Sequence, residues 1–513
     1  MRRAGAVLAL FVGALVATLL LQIHGGAYEA EFSETMDESA HYVTGLLAHD
    51  WVRAGMPWPP GRFYSEFTQR YSNVGIGHWP PGFYVLQAGW MLLFGVSRDS
   101  MLLLMALVQA AFVTATVLLL GVALRMRYAL GAGLLLLTVP LAQVSARSLM
   151  GEAPVALLVL AAGAAWRWYF RGGRPVASGV FGGVAAVALL TKGTGIVLAP
   201  VPPLTALLRG QATLLRRGTF WLPAGIVLLL CGVWYAQVPG ALHEEVAWLG
   251  GLMFLPGRIP ESLAFLCEQL TIPVMLAALA GVAALVRDAV RGKTLDPLWS
   301  IAGVLLVGSI LFRAVVAVWE PRHLLMSVPW LLLFAGEALR RLTARGGAWG
   351  RVTGGMCLMA LAAVCAWNVM RTPEKARLGL REAVGMVLES PELDGVDVLV
   401  VSDLRGEGAA TAEFAMRERR PGRRVLRASG ELAETSFLGD QYRAKFRDAG
   451  GVMRWVETRG RLVLIFDAPA QLFPHAGLVR EATAAPAWGW RRLVDGRDAW
   501  GLPEVWIWER RAR

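Results

Sequence analysis

The stretch Thr35-Met-Asp37-Glu38-Ser-Ala-His41-Tyr42 follows the first apolar segment of the chain and sets two carboxylates and a histidine beside a membrane. Charge at a bilayer boundary is costly, so it marks a functional site unless structure accounts for it. Structure accounts for part of it: Thr35-x-x-Glu38 matches a capping box, in which Glu38 would satisfy the first amides of a helix. Asp37 has no such duty beyond the helix dipole, and His41 falls one turn later on the same face. A carboxylate so placed can take the proton of an attacking hydroxyl. Asp37 is therefore the candidate base, with Glu38 and His41 as candidate substrate contacts.

Four further positions could share that chemistry. In Arg147-Ser-Leu-Met-Gly-Glu152-Ala-Pro154, the proline suits the first turn of a helix and Glu152 suits its dipole, but the segment also supplies a second acid and an arginine. Lys192, in Leu-Leu-Thr-Lys-Gly-Thr-Gly, is the only lysine in the first 290 residues of a chain that otherwise prefers arginine. A lysine at a span end can snorkel to the interface, or it can meet a phosphate as a point charge. In Glu320-Pro-Arg322-His323 two adjacent cations call for an anion. Arg313 lies about two turns deeper in an apolar run, where it must pair with an acid such as Glu320 or bind phosphate. His78 opens the rigid segment His78-Trp-Pro-Pro-Gly-Phe-Tyr84, whose aromatic residues suit a membrane interface. His49, Asp50, His243, Glu244 and Glu245 match no metal-ligand spacing.

These residues need elements to hold them. The chain has 513 residues, 56% of them hydrophobic, with a mean hydropathy of +0.49. Its repeated apolar runs are long enough to cross a hydrocarbon core of about 30 Å. This is the composition of a polytopic α-helical membrane protein. Candidate spans are 4–23, 99–123, 128–146, 153–170, 176–190, 194–208, 220–236, 269–286, 297–318, 324–339 and 352–369, about eleven in all. The run 4–23 follows Arg2 and Arg3 but precedes no small-residue cleavage site, so it reads as a helix that stays. The run 82–96 is short, and its placement decides the topology. Lying in the outer interface, it leaves the loops at Arg125/Arg127, Arg171/Arg174, Arg209/Arg216/Arg217, Arg287/Arg291/Lys293 and Arg340/Arg341/Arg345/Arg351 on the same side as Arg2 and Arg3. That is the positive-inside pattern.

The amino terminus is then inside, and nearly every ionisable group at the outer boundary belongs to an outer loop or turn, Arg313 lying deeper in its span. The net charge of +12 reads as topology information, and nucleic acid is not an expected partner. Cys231, Cys267, Cys357 and Cys365 lie in or beside apolar runs without ligand spacing. From about 371 the composition becomes that of a soluble protein. Strands are expected at 396–401, 424–426, 462–466 and 504–508, with helices at 406–419 and 438–449. The chain thus divides into a membrane domain, 1–370, with a first outer loop at 24–98, and a small extracytoplasmic α/β domain, 371–513. Gly406-Glu-Gly408 follows a strand and opens a helix, but it lacks the third glycine of a dinucleotide fingerprint.

Taken in order, Asp37-Glu38, His78-Trp-Pro-Pro, Arg147-Ser with Glu152-Ala-Pro, Leu190-Thr-Lys-Gly193 and Arg322-His-Leu-Leu with Pro329 resemble the GT-C glycosyltransferases. The nearest branch is that of the protein O-mannosyltransferases and the aminoarabinose-to-lipid A transferases, over about residues 1–340. The resemblance implies inverting transfer of a sugar from a polyprenyl-phosphate donor to a lipid, glycan or protein acceptor at the outer membrane face. It implies a catalytic role for Asp37 and Glu152, and donor-phosphate contacts from Lys192 and Arg322. His323 and Arg313 extend that cationic set, and Glu38, His41, Arg147, His78 and Glu320 are expected near substrate. A divalent metal is optional in this scheme. The chain departs from its relatives in having Arg322-His323-Leu-Leu-Met where Arg-Tyr-Leu-Leu-Pro is usual, and Glu152 where aspartate is usual. A bacterial plasma membrane is the implied location. The competing reading is a polytopic transporter or lipid flippase, which would favour internal repeats and midplane charge over charge gathered at one face. A scaffold whose outer domain binds a cell-wall partner is the third.

Overall fold

The computed structural model describes residues 2–238, 252–316, 320–344, 347–418, 422–435, 442–467, 473–486, 489–495 and 505–510. Helix α1 (Arg2–His24) is followed by the first-loop helices α2 (Met36–Arg53), α3 (Pro60–Arg70) and α4 (Gly82–Phe94). Then come α5 (Arg98–Ala123), α6 (Met126–Thr138), α7 (Pro140–Arg147), α8 (Glu152–Gly172) and α9 (Pro175–Thr191). A 3-10 turn, Gly193–Leu198, leads to α10 (Val201–Leu208) and α11 (Gly218–Gln237). The bundle continues with α12 (Leu255–Leu270), α13 (Ile272–Val290) and α14 (Pro297–Val315). A second 3-10 turn, Pro321–Ser327, precedes α15 (Val328–Thr343) and α16 (Gly347–Arg371).

Seven helices among the described residues are long and apolar enough to cross a membrane. The pair α6 and α7 would make an eighth; it bends by 60° at Pro140, whose ring cannot continue the preceding helix. The count of eleven is not reached by this measure. The runs at 176–190, 194–208 and 324–339 fold as a 17-residue helix, a 3-10 turn with an 8-residue helix, and a 3-10 turn with a 16-residue helix. Helix α4 has 13 residues, roughly 20 Å at 1.5 Å per residue, too short to span.

Close approach in the bundle depends on glycine. A Cβ at Gly281 would stand 1.9 Å from the Phe334 carbonyl oxygen, so α13 and α15 touch backbone to backbone only because that position has no side chain.

The carboxyl-terminal sheet has the strand order Val425–Arg427, Asp397–Val401, Leu462–Asp467, Val505–Arg510, Trp490–Asp495, and in chain order Ala433–Glu434 and Arg443–Ala444 are β3 and β4 of a separate ribbon. Strands β1 (Asp397–Val401), β2 (Val425–Arg427) and β5 (Leu462–Asp467) run parallel. The last two, β6 (Trp490–Asp495) and β7 (Val505–Arg510), are antiparallel additions. The helix expected at 406–419 is Leu404–Arg417, capped by Asp403, whose side chain accepts from the Gly406 amide. The helix expected at 438–449 is not formed where it is described. Arg443–Ala444 pairs with Ala433–Glu434 as a short ribbon, and helix begins only at Ala449, because Asp448 caps it by accepting from the Gly451 amide at 2.6 Å. Residues 438–441 of that expectation lie outside the described residues.

One core joins the first loop to this sheet. Phe32, Tyr42, Phe67, Tyr71 and Phe83 pack with Val398, Val425, Val463 and Ile507. The helix Leu404–Arg417 rests on α2 so closely that a Cβ at Gly408 would stand 2.3 Å from the Ser39 hydroxyl. The sheet therefore fixes the helix that carries Asp37.

Candidate active site

Asp37 occupies the first turn of α2, and its carboxylate is ion-paired with the Arg322 guanidinium. Glu152 opens α8, where the helix dipole favours its charge. Its Oε1 accepts from Lys192 Nζ at 2.5 Å, and lies 3.0 Å from Arg322 Nε and 3.9 Å from His323 Nε2. Its Oε2 is buried and makes no hydrogen bond. Glu320 lies 3.0 Å from Arg322 Nε. Arg322 thus stands between three carboxyl groups from three parts of the chain, while its buried Nη1 has no hydrogen-bond partner.

Local sequence explains how these groups arrive. Helix α9 ends at Thr191, and Lys192 leaves it in an extended conformation (φ −159°). The following turn packs back on the helix at Gly195, where a Cβ would stand 2.7 Å from Ala188 C and Leu189 N. Pro321 opens the 3-10 turn that presents Arg322 and His323 together. Burial works against the charge of Arg322, but the carboxylates of Glu152, Asp37 and Glu320 hold its proton still more firmly. Burial pushes His41 down to about 3 and His323 well below its usual range, so both imidazoles are neutral at pH 7. Burial also raises the Glu320 carboxyl. Three carboxyl groups face Arg322 and Lys192.

The structure places the remaining candidates differently. Glu38 is fully buried, its Oε2 taking the Glu34 amide at 2.7 Å and its Oε1 the Leu149 amide at 3.0 Å and Lys375 Nζ at 2.7 Å. Thr35 makes no side-chain cap, and Glu38 takes the amide of Glu34 rather than that of Thr35, so the expected capping box is not formed. Arg147 forks onto Glu34 with two contacts of 3.1 Å and donates to the Pro373 carbonyl. Arg313 is buried at the end of α14, with Nη1 3.4 Å from the Val316 carbonyl. His78 packs edge-on against Trp79, its ring centroid 4.8 Å away. His49 pairs with Asp50 at 2.8 Å. His243, Glu244 and Glu245 lie outside the described residues. Sequence reasoning missed Lys375 and Tyr84. Lys375 gave no signal, being one cation in a charged linker, whereas Tyr84 stood in a motif already singled out.

The donor set does not fit a divalent metal. Asp37 and Glu152 each face a guanidinium or ammonium group, and no three His, Cys, Asp or Glu side chains gather as ligands among the described residues. What the cluster offers is a carboxylate beside concentrated positive charge that can be shared with an incoming anion.

This chain is an integral membrane protein with a GT-C-like fold, a bundle of apolar helices whose loops meet in an ion-paired cluster with a small α/β unit behind them. Among solved structures it is similar to ArnT from Cupriavidus metallidurans. Against ArnT bound to undecaprenyl phosphate the TM-score is 0.59 at 15% identity, covering 98% of this chain and 97% of that one. Against apo ArnT the TM-score is 0.60, again at 15% identity, covering 99% and 98%. The archaeal oligosaccharyltransferase AglB from Archaeoglobus fulgidus, in complex with an inhibitory peptide and a dolichol-phosphate, gives 0.56 at 11% identity, covering 91% and 70%. No protein-family profile and no curated protein matches the chain by sequence.

Proposed function

We propose that this protein is an inverting glycosyltransferase that moves a sugar from a polyprenyl-phosphate donor to a hydroxyl acceptor at the outer face of the membrane. The observation that carries the reading is Arg322 shared between Asp37, Glu152 and Glu320, with Lys192 on Glu152. The acceptor oxygen attacks the anomeric carbon as the bond from that carbon to the phosphate oxygen breaks. The electron pair stays with the phosphate, and the acceptor proton passes to Asp37. Lys192 and Arg322 offset the charge that grows on the leaving phosphate. Arg322 must loosen from Asp37 to meet that phosphate, so donor binding itself frees the base.

Three further features support the donor class. A lipid-phosphate sugar is already activated, so the reaction needs no nucleotide site. A cavity of about 330 Å³, lined by Phe181, Leu189, Gly195, Ile196, Trp221 and Val227, takes lining residues from both sides of Lys192 in sequence and has an almost wholly apolar wall that suits an isoprenoid chain. ArnT and AglB were each solved with a polyprenyl-type phosphate. The membrane is read as a bacterial plasma membrane, with the amino terminus cytoplasmic and the sheet domain outside, on the positive-inside pattern. On this reading residues 1–370 form the membrane domain and 371–513 the outer domain.

The test supplies purified protein with polyprenyl-phosphate sugars and measures release of polyprenyl phosphate. Turnover that Asp37→Asn abolishes is the expected result. Equal turnover in both proteins refutes the base assignment, and no turnover with any donor favours a transporter or flippase.

A further inference from the structure

The segment His78-Trp-Pro-Pro-Gly-Phe-Tyr84 does more than enter a membrane interface. Its rings of Trp79, Phe83 and Tyr84 close around His41 with centroid distances of 4.4, 5.6 and 5.8 Å. Two glycines make this wrapping possible. A Cβ at Gly75 would stand 2.4 Å from the Trp79 ring, and one at Gly82 would stand 2.8 Å from the Leu190 carbonyl oxygen, two residues before Lys192. The segment is therefore wedged between the helix of Asp37 and the helix end of Lys192.

The Tyr84 hydroxyl lies 2.9 Å from His41 Nδ1. Tyr84 is 3% exposed, and a buried hydroxyl left without an acceptor is costly, so the hydroxyl donates and Nδ1 accepts. A neutral imidazole carries a single N–H, which then sits on Nε2. We infer that Tyr84 is a positioning residue: it locks His41 as the uncharged Nε2–H tautomer and so presents one neutral hydrogen-bond donor to a hydroxyl oxygen of the sugar held beside Asp37. This rests on the glycosyltransferase reading and adds to it a contact for the sugar. Lys192 and Arg322 supply charge for a phosphate, and the carboxylates accept hydroxyl protons. A neutral donor matched to a sugar oxygen is the piece those groups do not provide. A sugar carrying an ammonium at that position would meet an N–H head-on and bind poorly.

The experiment compares two ligands on the purified full-length protein. One is undecaprenyl phosphate, and the other is the tightest binding of its mannosyl, glucosyl and galactosyl derivatives. Tyr84→Phe and His41→Asn are expected to weaken the glycosyl lipid about tenfold, the scale of one neutral hydrogen bond, and to leave undecaprenyl phosphate within about twofold. His41→Gln, whose amide nitrogen reaches the place of Nε2, is expected to restore most of the difference. Equal weakening of both lipids, no weakening of either, or identical behaviour of the Gln and Asn variants overturns the tautomer assignment while the donor reading stands. Failure of the wild type to bind either lipid overturns both.

Discussion

Asp37 and Glu38 are neighbours in sequence, but the structure gives them different partners, and a pair of near-isosteric substitutions separates the duties proposed for them. Glu38 is sealed from solvent against Lys375, itself 4% exposed, and its two oxygens also hold two backbone amides. Glu38→Gln removes the charge that compensates Lys375 and turns one acceptor oxygen into a donor facing an amide. Breaking a buried pair from one side costs about 3–5 kcal/mol, so this variant should unfold at markedly lower temperature in detergent. Lys375→Met should cost a similar amount for the mirror reason. Combining both changes should cost less than the two separately, since no buried charge is then left alone. Asp37→Asn keeps shape and leaves Arg322 with Glu152 and Glu320, so its unfolding temperature should barely move while kcat falls by about 10²–10⁴. The assays are thermal unfolding of the purified proteins and single-turnover release of polyprenyl phosphate, corrected for the folded fraction. A Glu38→Gln protein that is as stable as wild type but inactive would refute the division, and so would an active Asp37→Asn.

Arg322→Lys should weaken polyprenyl phosphate binding by about tenfold to a hundredfold, because an ammonium cannot bridge acids and phosphate as a planar fork does; titration with undecaprenyl phosphate reads this out. Gly82→Ala places a methyl group 2.8 Å from the Leu190 carbonyl oxygen, an overpacking cost of roughly 1–3 kcal/mol that should push α4 off the end of α9 and lower activity more than expression. A reporter inserted near residue 126 should be read as cytoplasmic, and an external signal would undo the common sidedness of the site. Burial raises Glu407, against Ser429 and Arg427, to about 7. A carboxyl raised from 4.5 binds protons more tightly when folded, so its contribution is complete below about pH 4.5 and is lost as pH rises through 7, roughly 3 kcal/mol at most. Glu407→Gln should flatten that dependence in thermal unfolding between pH 5 and 8.

Hydropathy made the helical class legible, and the run of charged loops made the ion-paired cluster legible as a set. It did not resolve span lengths. Pro140 divides one apolar run into two bent helices, and the runs after Lys192 and Arg322 begin as 3-10 turns, which no periodicity of 3.6 announces. In the sheet region, β1 and β5 announce themselves as apolar runs, whereas β6, Trp-Arg-Arg-Leu-Val-Asp, hides among charges because it lies at the sheet edge. Asp448 illustrates the limit of local reading: the residues before it have helical composition, but its cap delays the helix until Ala449.

The site shows the same division between type and partner. Sequence identifies Asp37, Glu152, Lys192 and Arg322 as charges that need a reason, but it cannot say which charge answers which. The structure pairs Arg147 with Glu34 and Glu38 with Lys375, groups that hold the first loop against the chain leaving α16. That pairing leaves Arg322 and Lys192 as the cations that meet Asp37, Glu152 and Glu320. If Arg147 or Lys375 were drawn into the cluster, the cations would saturate Asp37 and Glu152, and a donor phosphate would find no reason to displace them. On the proposed mechanism, three carboxyl groups competing for Arg322 and Lys192 let an arriving phosphate compete on even terms, and its arrival would release Asp37 at the moment a base is needed.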